Sequence, residues 1–270
     1  MEKEKSIRLY DIAYDYLKYI IKNDQRLINV DLESYFRVEK PDSLETVFER
    51  FIQSAQNYQR MPNVIKLKQR QEEIRKILCG YDIKKISNIS ENDLYFRFRE
   101  TFNIKTKDSK RNSWYKWSCS IVDSAKFLNR FKDIKAFNSF VSGFDFSIDS
   151  RMALPLLIQA RIRGIGFALA CDVLKELGYL YYSKPDVHMI DVFYSLGLSE
   201  NNPFSTFEAI SKMAEDCQTV DKCITPYKVD KVFWLICSGT FYNEMPDGIE
   251  IGSHKKELIN VLLRNGFLYR

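Results

Sequence analysis

Two stretches of the chain combine residue types and spacings that suit chemistry on a phosphate backbone. In Ile162-Arg163-Gly164-Ile165-Gly166, two glycines flank one apolar residue. Glycine permits positive φ and lets another backbone approach without a Cβ in the way. The pattern predicts that Ile165 tucks inward while Gly164 and Gly166 expose their amides. A helix starting at Phe167 would add unpaired N–H groups and the positive end of its dipole, a natural place for phosphate. Such a contact positions nucleic acid without reading its sequence. The second stretch, KPDVHMIDVF over 184–193, sets Asp186 20 positions after Gly166. It precedes a helix with Val187, Ile190, Val192 and Phe193 on its apolar positions. Each stretch also has a plainer reading. A lone G-x-G matches many helix-to-helix turns, and an aspartate at a helix start serves as an N-cap.

Taken together, GIGFALACDVLKELG and KPDVHMIDVF resemble the helix-hairpin-helix DNA glycosylase superfamily, which includes the endonuclease III, adenine-mismatch and 8-oxoguanine glycosylases. Its members carry an L-P-G-[VI]-G hairpin, a helix, a short link and a V-D-x-H-[VM] segment with a catalytic aspartate. The resemblance covers about 160–198 closely and 113–240 by helix order, and it says nothing of residues 1–100. It implies an all-α, two-lobed fold and DNA contacts from Arg163, Gly164, Ile165, Gly166, Ala168 and His188. It also implies Asp186 as the catalytic carboxylate. A monovalent cation held by the backbone carbonyls of Ala160, Ile162 and Ile165 is a further implication.

The chain departs from the family pattern at three points. Arg163 replaces the hairpin proline and adds a charge where a phosphate would pass. Ala168 occupies the position where lyase-competent members carry a nucleophilic lysine, and Lys184 matches no family position as a substitute. The four-cysteine iron–sulfur motif is absent from the sequence. The implied enzyme is therefore monofunctional, hydrolysing the N-glycosidic bond and leaving an abasic site. Breaking that bond builds positive charge on the sugar, as in glycoside hydrolysis. A carboxylate beside C1′ stabilises that charge and orients water. The base must first leave the stack, so a pocket is required. Asn57 and Gln59, beside Arg60 and Met61, suit base-edge reading or filling the gap in the stack. Trp114, Trp117, Phe233 and Trp234 are stacking candidates that at helical spacing equally suit a core.

The elements that must position these residues read as almost entirely helical. Apolar periodicity predicts helices over 7–22, 43–59, 64–79, 113–131, 150–162, 167–177, 187–196, 205–217, 227–238 and 254–264. Ser43 is the expected cap of the second. The polar, basic segment 102–113 is the expected boundary between an N-terminal lobe (1–105) and a glycosylase-like core (106–270), the two packed as one unit. No strand pattern extends beyond a few residues.

Charge distribution favours a polyanionic partner. Residues 51–150 carry 19 lysines and arginines against 11 aspartates and glutamates, a net +8, whereas the remainder carries 22 against 25, a net −3. Basic surface supplies most non-specific affinity for nucleic acid, and double-stranded DNA containing an altered base is the expected partner of a monomeric protein. The 6 cysteines are scattered without close pairs, so neither a zinc nor an iron–sulfur site is expected and free thiols in a reducing compartment are. The charged N-terminus and the lack of an apolar run near the roughly 18 residues of a membrane span predict a cytoplasmic protein, nucleoid-associated if bacterial. Three functions remain open on the residues alone: a glycosylase in repair or in defence against a hypermodified viral base, a helix-hairpin-helix binding module without catalysis, and an all-helical interaction protein.

Overall fold

The computed structural model describes residues 2–58, 61–243 and 248–267. Helices dominate it, as the apolar periodicity predicts: α1 (Lys3–Asn23), α2 (Leu44–Gln56), α3 (Met61–Ile65), α4 (Gln71–Ile77), α5 (Ile83–Ser87), α6 (Glu91–Thr101), α7 (Ser113–Leu128), α8 (Ile134–Ser142), α9 (Ile148–Arg161), α10 (Phe167–Glu176), α11 (Val187–Ser195), α12 (Pro203–Cys217), α13 (Pro226–Ser238) and α14 (Lys255–Arg264). A two-residue antiparallel ribbon joins β1 (Thr240–Phe241) to β2 (Ile249–Glu250). Most helix starts are capped as the sequence suggests. Ser43 accepts from the Thr46 amide, Asn112 from Trp114 and Asn202 from Phe204 and Ser205, each satisfying an amide that the helix itself leaves unpaired.

The chain forms two units, and their boundary differs from the expected 1–105/106–270 division. One unit comprises residues 1–39 and 179–270, the other residues 40–178. The reason lies in α1. Its apolar stripe, Leu9, Ala13, Leu17 and Ile20, is buried in the same cluster as Met189, Phe193, Met213, Phe233 and Ile236 from α11, α12 and α13. The first helix thus closes the core of the C-terminal segment. Segment 102–113, the expected boundary, lies inside the second unit. It is tied down there by Arg99 Nη1 donating to the Thr106 carbonyl (2.8 Å) and by Asn112 Nδ2 donating to Thr106 Oγ1 (2.9 Å).

In the second unit α7 is the central helix, packing against α2, α5 and α6. Trp117 is fully buried on it, and its indole N–H donates to the Ile52 carbonyl of α2 at 3.1 Å. Trp114, Phe98 and Phe102 complete an aromatic cluster around it. Helix α10 is fixed to α2 through Asp172, whose Oδ2 accepts from Ser54 Oγ at 2.8 Å and from Arg50 Nη2 at 3.2 Å. The basic stretch expected as one helix over 64–79 is broken: Lys66 adopts a left-handed conformation (φ 53°), separating α3 from a short 3₁₀ turn and α4. Arg70, in that turn, donates to the Val64 and Ile65 carbonyls and lies over the Phe102 and Trp114 rings. Its guanidinium is therefore structural.

Candidate functional site

The hairpin is built where α9 ends and α10 begins. Ile162 and Ile165 are buried (1% and 2% exposed), whereas Arg163, Gly164 and Gly166 face solvent. The Ile165 amide donates to the Ile162 carbonyl at 3.3 Å, closing the turn. Gly166 caps α10 and supplies no side-chain hydrogen bond. The amides of Gly166, Ala168 and Leu169 find no acceptor among the described residues, which leaves at the start of α10 the kind of donor that an anion would use.

Two residues of α7 hold the hairpin from beneath. Ser120 Oγ donates to the Arg163 carbonyl at 2.6 Å. Three residues on, and so on the same face, Asp123 accepts from both the main chain and the side chain of Arg163. Arg163 Nη1 also donates to Glu91 of α6 at 2.9 Å. Hydrogen bonds to these carboxylates raise the Arg163 pKa above its ordinary value, and the guanidinium in turn lowers that of Glu91. The expectation of Arg163 as a free charge for phosphate is therefore corrected: two carboxylates already engage it. No residue motif announced Asp123, Ser120 or Glu91.

Asp186 stands in the other unit, as the N-cap of α11. Its Oδ1 accepts from the His188 amide (2.9 Å) and the Met189 amide (3.3 Å). Oδ2 accepts no hydrogen bond among the described residues, and the side chain is half-buried. Capping and availability thus coexist in one side chain: one oxygen orients the carboxylate and the other is left to act. The Lys184 amide donates to Oδ2 of the buried Asp230 at 3.0 Å, fixing the loop that leads to Asp186. His188 is partly buried, and its Nδ1 has no hydrogen-bond partner among the described residues. Lys255 pairs with Asp191 on the same helix as His188. Burial pushes the thiol of nearby Cys237 up to about 12, with Asp186 and Asp191 adding to the shift against Lys255.

The proposed stacking residues resolve differently. Trp114, Trp117 and Phe233 are 2%, 0% and 0% exposed and belong to the cores of their units. They are corrected to core residues, because their rings are already covered on both faces by other side chains. Trp234 is half-buried and meets Tyr242 edge-on at 5.7 Å. Asn57 is exposed at the C-terminus of α2 and lines a cleft of about 370 Å³ with Arg50, Lys68 and Gln71. Gln59 lies outside the described residues. Of the three carbonyls expected to hold a cation, that of Ile162 accepts the Ile165 amide. Among the described residues no three His, Cys, Asp or Glu side chains gather as a metal-binding group, and no helix is long and apolar enough to cross a membrane.

Sequence reasoning missed one feature of the second unit. Beside the hairpin opens a cavity of about 450 Å³, lined by Arg163 and Gly164 together with α2, α3, α6 and α7. Its floor is Ala55, Met61, Cys119 and Ser120, all buried, and its sides are Tyr58 and Tyr115. Comparison with protein-family models, curated proteins and solved structures finds no match to this chain.

Proposed function

We propose that the chain is a monofunctional DNA glycosylase that hydrolyses the N-glycosidic bond of an altered, flipped-out base. The observation that carries this reading is the state of Asp186: one oxygen is fixed by two amides of α11 and the other accepts no hydrogen bond among the described residues. A carboxylate held in this way costs little reorganisation when positive charge develops on a sugar, and its second oxygen can receive a proton from an attacking water. The uncapped amides at Gly166, Ala168 and Leu169 support a phosphate contact that keeps the strand in register. The net +8 over residues 51–150 supports a polyanionic partner. Ala168, at the first turn of α10, offers no amine for a Schiff base, so the reaction ends at an abasic site rather than a nick.

A strand-cleavage assay tests this directly. Wild type and Asp186→Asn are incubated with duplexes that each carry one altered base, with and without subsequent alkali. Nicks that require alkali and vanish in the variant are the expected result. Equal DNA binding by both proteins with no base released across oxidised, alkylated, deaminated, mispaired and hypermodified substrates would leave a binding module instead.

A further inference from the structure

The cavity beside the hairpin combines features that no packing requirement explains. Lys110 and Lys116 are exposed at its rim, and neither forms an ion pair among the described residues. Among the described residues, the other charges lining it, Glu91 and Arg163, are bonded to each other. Among these residues the unneutralised charge is that of the two lysines. Inside, the surface is aromatic and neutral. The Tyr58 ring is 39% exposed and lies 5.8 Å from Lys116 Nζ, in cation–π geometry. Burial pushes the Cys119 thiol on the floor above its ordinary pKa. At about 450 Å³ the cavity falls within the roughly 300–1,000 Å³ range of small-molecule sites.

We propose that this cavity receives one nucleotide unit of the DNA strand, with its base stacked against Tyr58 over the Met61 and Cys119 floor and its phosphate between Lys110 and Lys116. The ligand needs both halves. An aromatic ring without charge leaves the lysines unmatched, and an anion without a ring leaves the apolar interior unfilled. The position also suits a strand already held at the hairpin, since Gly164 lines the same cavity. This inference rests on the reading of the chain as a DNA-acting protein, and it makes no use of Asp186.

Saturation-transfer NMR of the full chain with deoxynucleoside 5′-monophosphates tests it, with the matching nucleosides and inorganic phosphate as separate arms. The expected result is saturation of the base protons, with nucleotide binding more tightly than nucleoside or phosphate. Tyr58→Ala weakens it about tenfold or more, the usual loss when one stacking ring is removed. The double variant Lys110→Ala/Lys116→Ala weakens nucleotide binding while leaving the nucleoside unaffected. All three side chains are exposed, and thermal melts of each variant establish that it is folded. Absence of base saturation in wild type overturns the proposal, as does phosphate competing as well as nucleotide or undiminished binding by folded lysine and tyrosine variants. Base release by a wild type that binds no nucleotide would sink this inference and leave the glycosylase reading standing. Nucleotide binding without base release would do the reverse.

Discussion

Arg163 and Asp123 share three hydrogen bonds, from the Arg163 main-chain N–H (3.1 Å) and Nε (2.7 Å) to Oδ2 and from Nη2 to Oδ1 (2.9 Å). A single carboxylate on α7 thereby fixes both the backbone and the side chain of the hairpin, and Ser120 one turn earlier fixes the carbonyl of the same residue. These bonds restrain the hairpin backbone at Arg163.

Unequal losses from the two partners follow. Asp123→Ala removes every bond and strands a main-chain N–H, so it should destabilise the protein by about 1–2 kcal/mol. Arg163→Ala keeps the main-chain bond and should cost less. Arg163 is 52% exposed, so solvent screens the pair and the coupling in a double-mutant cycle should be about 1 kcal/mol or below. Urea melts at low and high salt measure both. A larger loss for Arg163→Ala than for Asp123→Ala would contradict this account of the hairpin.

The two glycines of the motif should behave differently, although the sequence presents them as a matched pair. Gly164 has φ +81°, and a Cβ there would stand 2.6 Å from Ser120 Oγ. Gly164→Ala should cost about 1–3 kcal/mol through backbone strain and displacement of that hydroxyl. Gly166 has an ordinary φ of −82°, and a Cβ would meet nothing within 4 Å. Gly166→Ala should therefore cost less than about 1 kcal/mol. If phosphate approaches these amides, Gly166→Ala should nevertheless weaken binding to a DNA duplex. A stable variant with unchanged DNA affinity would mean that the glycine serves only the turn.

Acid should loosen the hairpin through Glu91. Its hydrogen bond from Arg163 lowers its pKa below the ordinary 4.5. A carboxylate depressed in the folded state contributes stability that is present above its unfolded value and lost as pH falls through its folded value. Stability should decline below about pH 4.5, and Glu91→Gln should flatten part of that decline while costing stability at neutral pH. Denaturant midpoints across pH 3–7 for both proteins report the difference, and parallel curves would exclude Glu91 as a contributor.

Much of this arrangement was legible in the sequence, for reasons that individual residues make clear. Long helices with a continuous apolar stripe, such as α1, α7 and α13, announce themselves because every turn repeats the pattern. The helices α5, α6 and α8 were not anticipated. Asp82, Ser90 and Asp133 cap them as usual, but α5 spans only five residues, and α6 alternates charged and aromatic positions that blur its stripe. Neither Lys66 nor its neighbours warn of the left-handed break after α3. The unit boundary was missed because α1 joins a core assembled from residues about 180 and more positions away, a relation that no local period encodes. At the candidate site, Asp186 and the hairpin were readable as motifs, whereas the α7 side chains beneath Arg163 and the neighbouring cavity arise only from tertiary packing.

Thiol reactivity offers a test of the same packing. Cys79 and Cys223 are exposed, while Cys119, Cys171, Cys217 and Cys237 are buried. Burial also pushes the Cys217 and Cys237 thiols up to about 12, leaving them neutral near pH 7. Since the thiolate is the reactive form, an aromatic disulfide reagent should titrate the two exposed cysteines rapidly in the native protein and all 6 in denaturant. Rapid reaction of Cys237, mapped by mass spectrometry, would show that the start of α11 and its neighbours open readily in solution.

Asp186 caps α11 through one oxygen, while its other oxygen accepts no hydrogen bond among the described residues. Alanine and asparagine substitutions separate its two roles. Asp186→Ala removes the hydrogen bonds to the His188 and Met189 amides and should destabilise the protein by about 1 kcal/mol. Asparagine caps about as well as aspartate, so Asp186→Asn should melt within about 0.5 kcal/mol of wild type. In the proposed glycosylase reaction, asparagine would carry no charge to oppose the one that develops on the sugar and no basic oxygen to take a proton from water. On that proposal, single-turnover base release should slow by about a hundredfold or more, with DNA affinity unchanged or higher because the substitution removes a negative charge. Equal slowing by a variant that has lost its fold would be uninformative, so the decisive comparison is the Asn variant at wild-type stability. If that variant retains full activity, the carboxylate is a helix cap and nothing more.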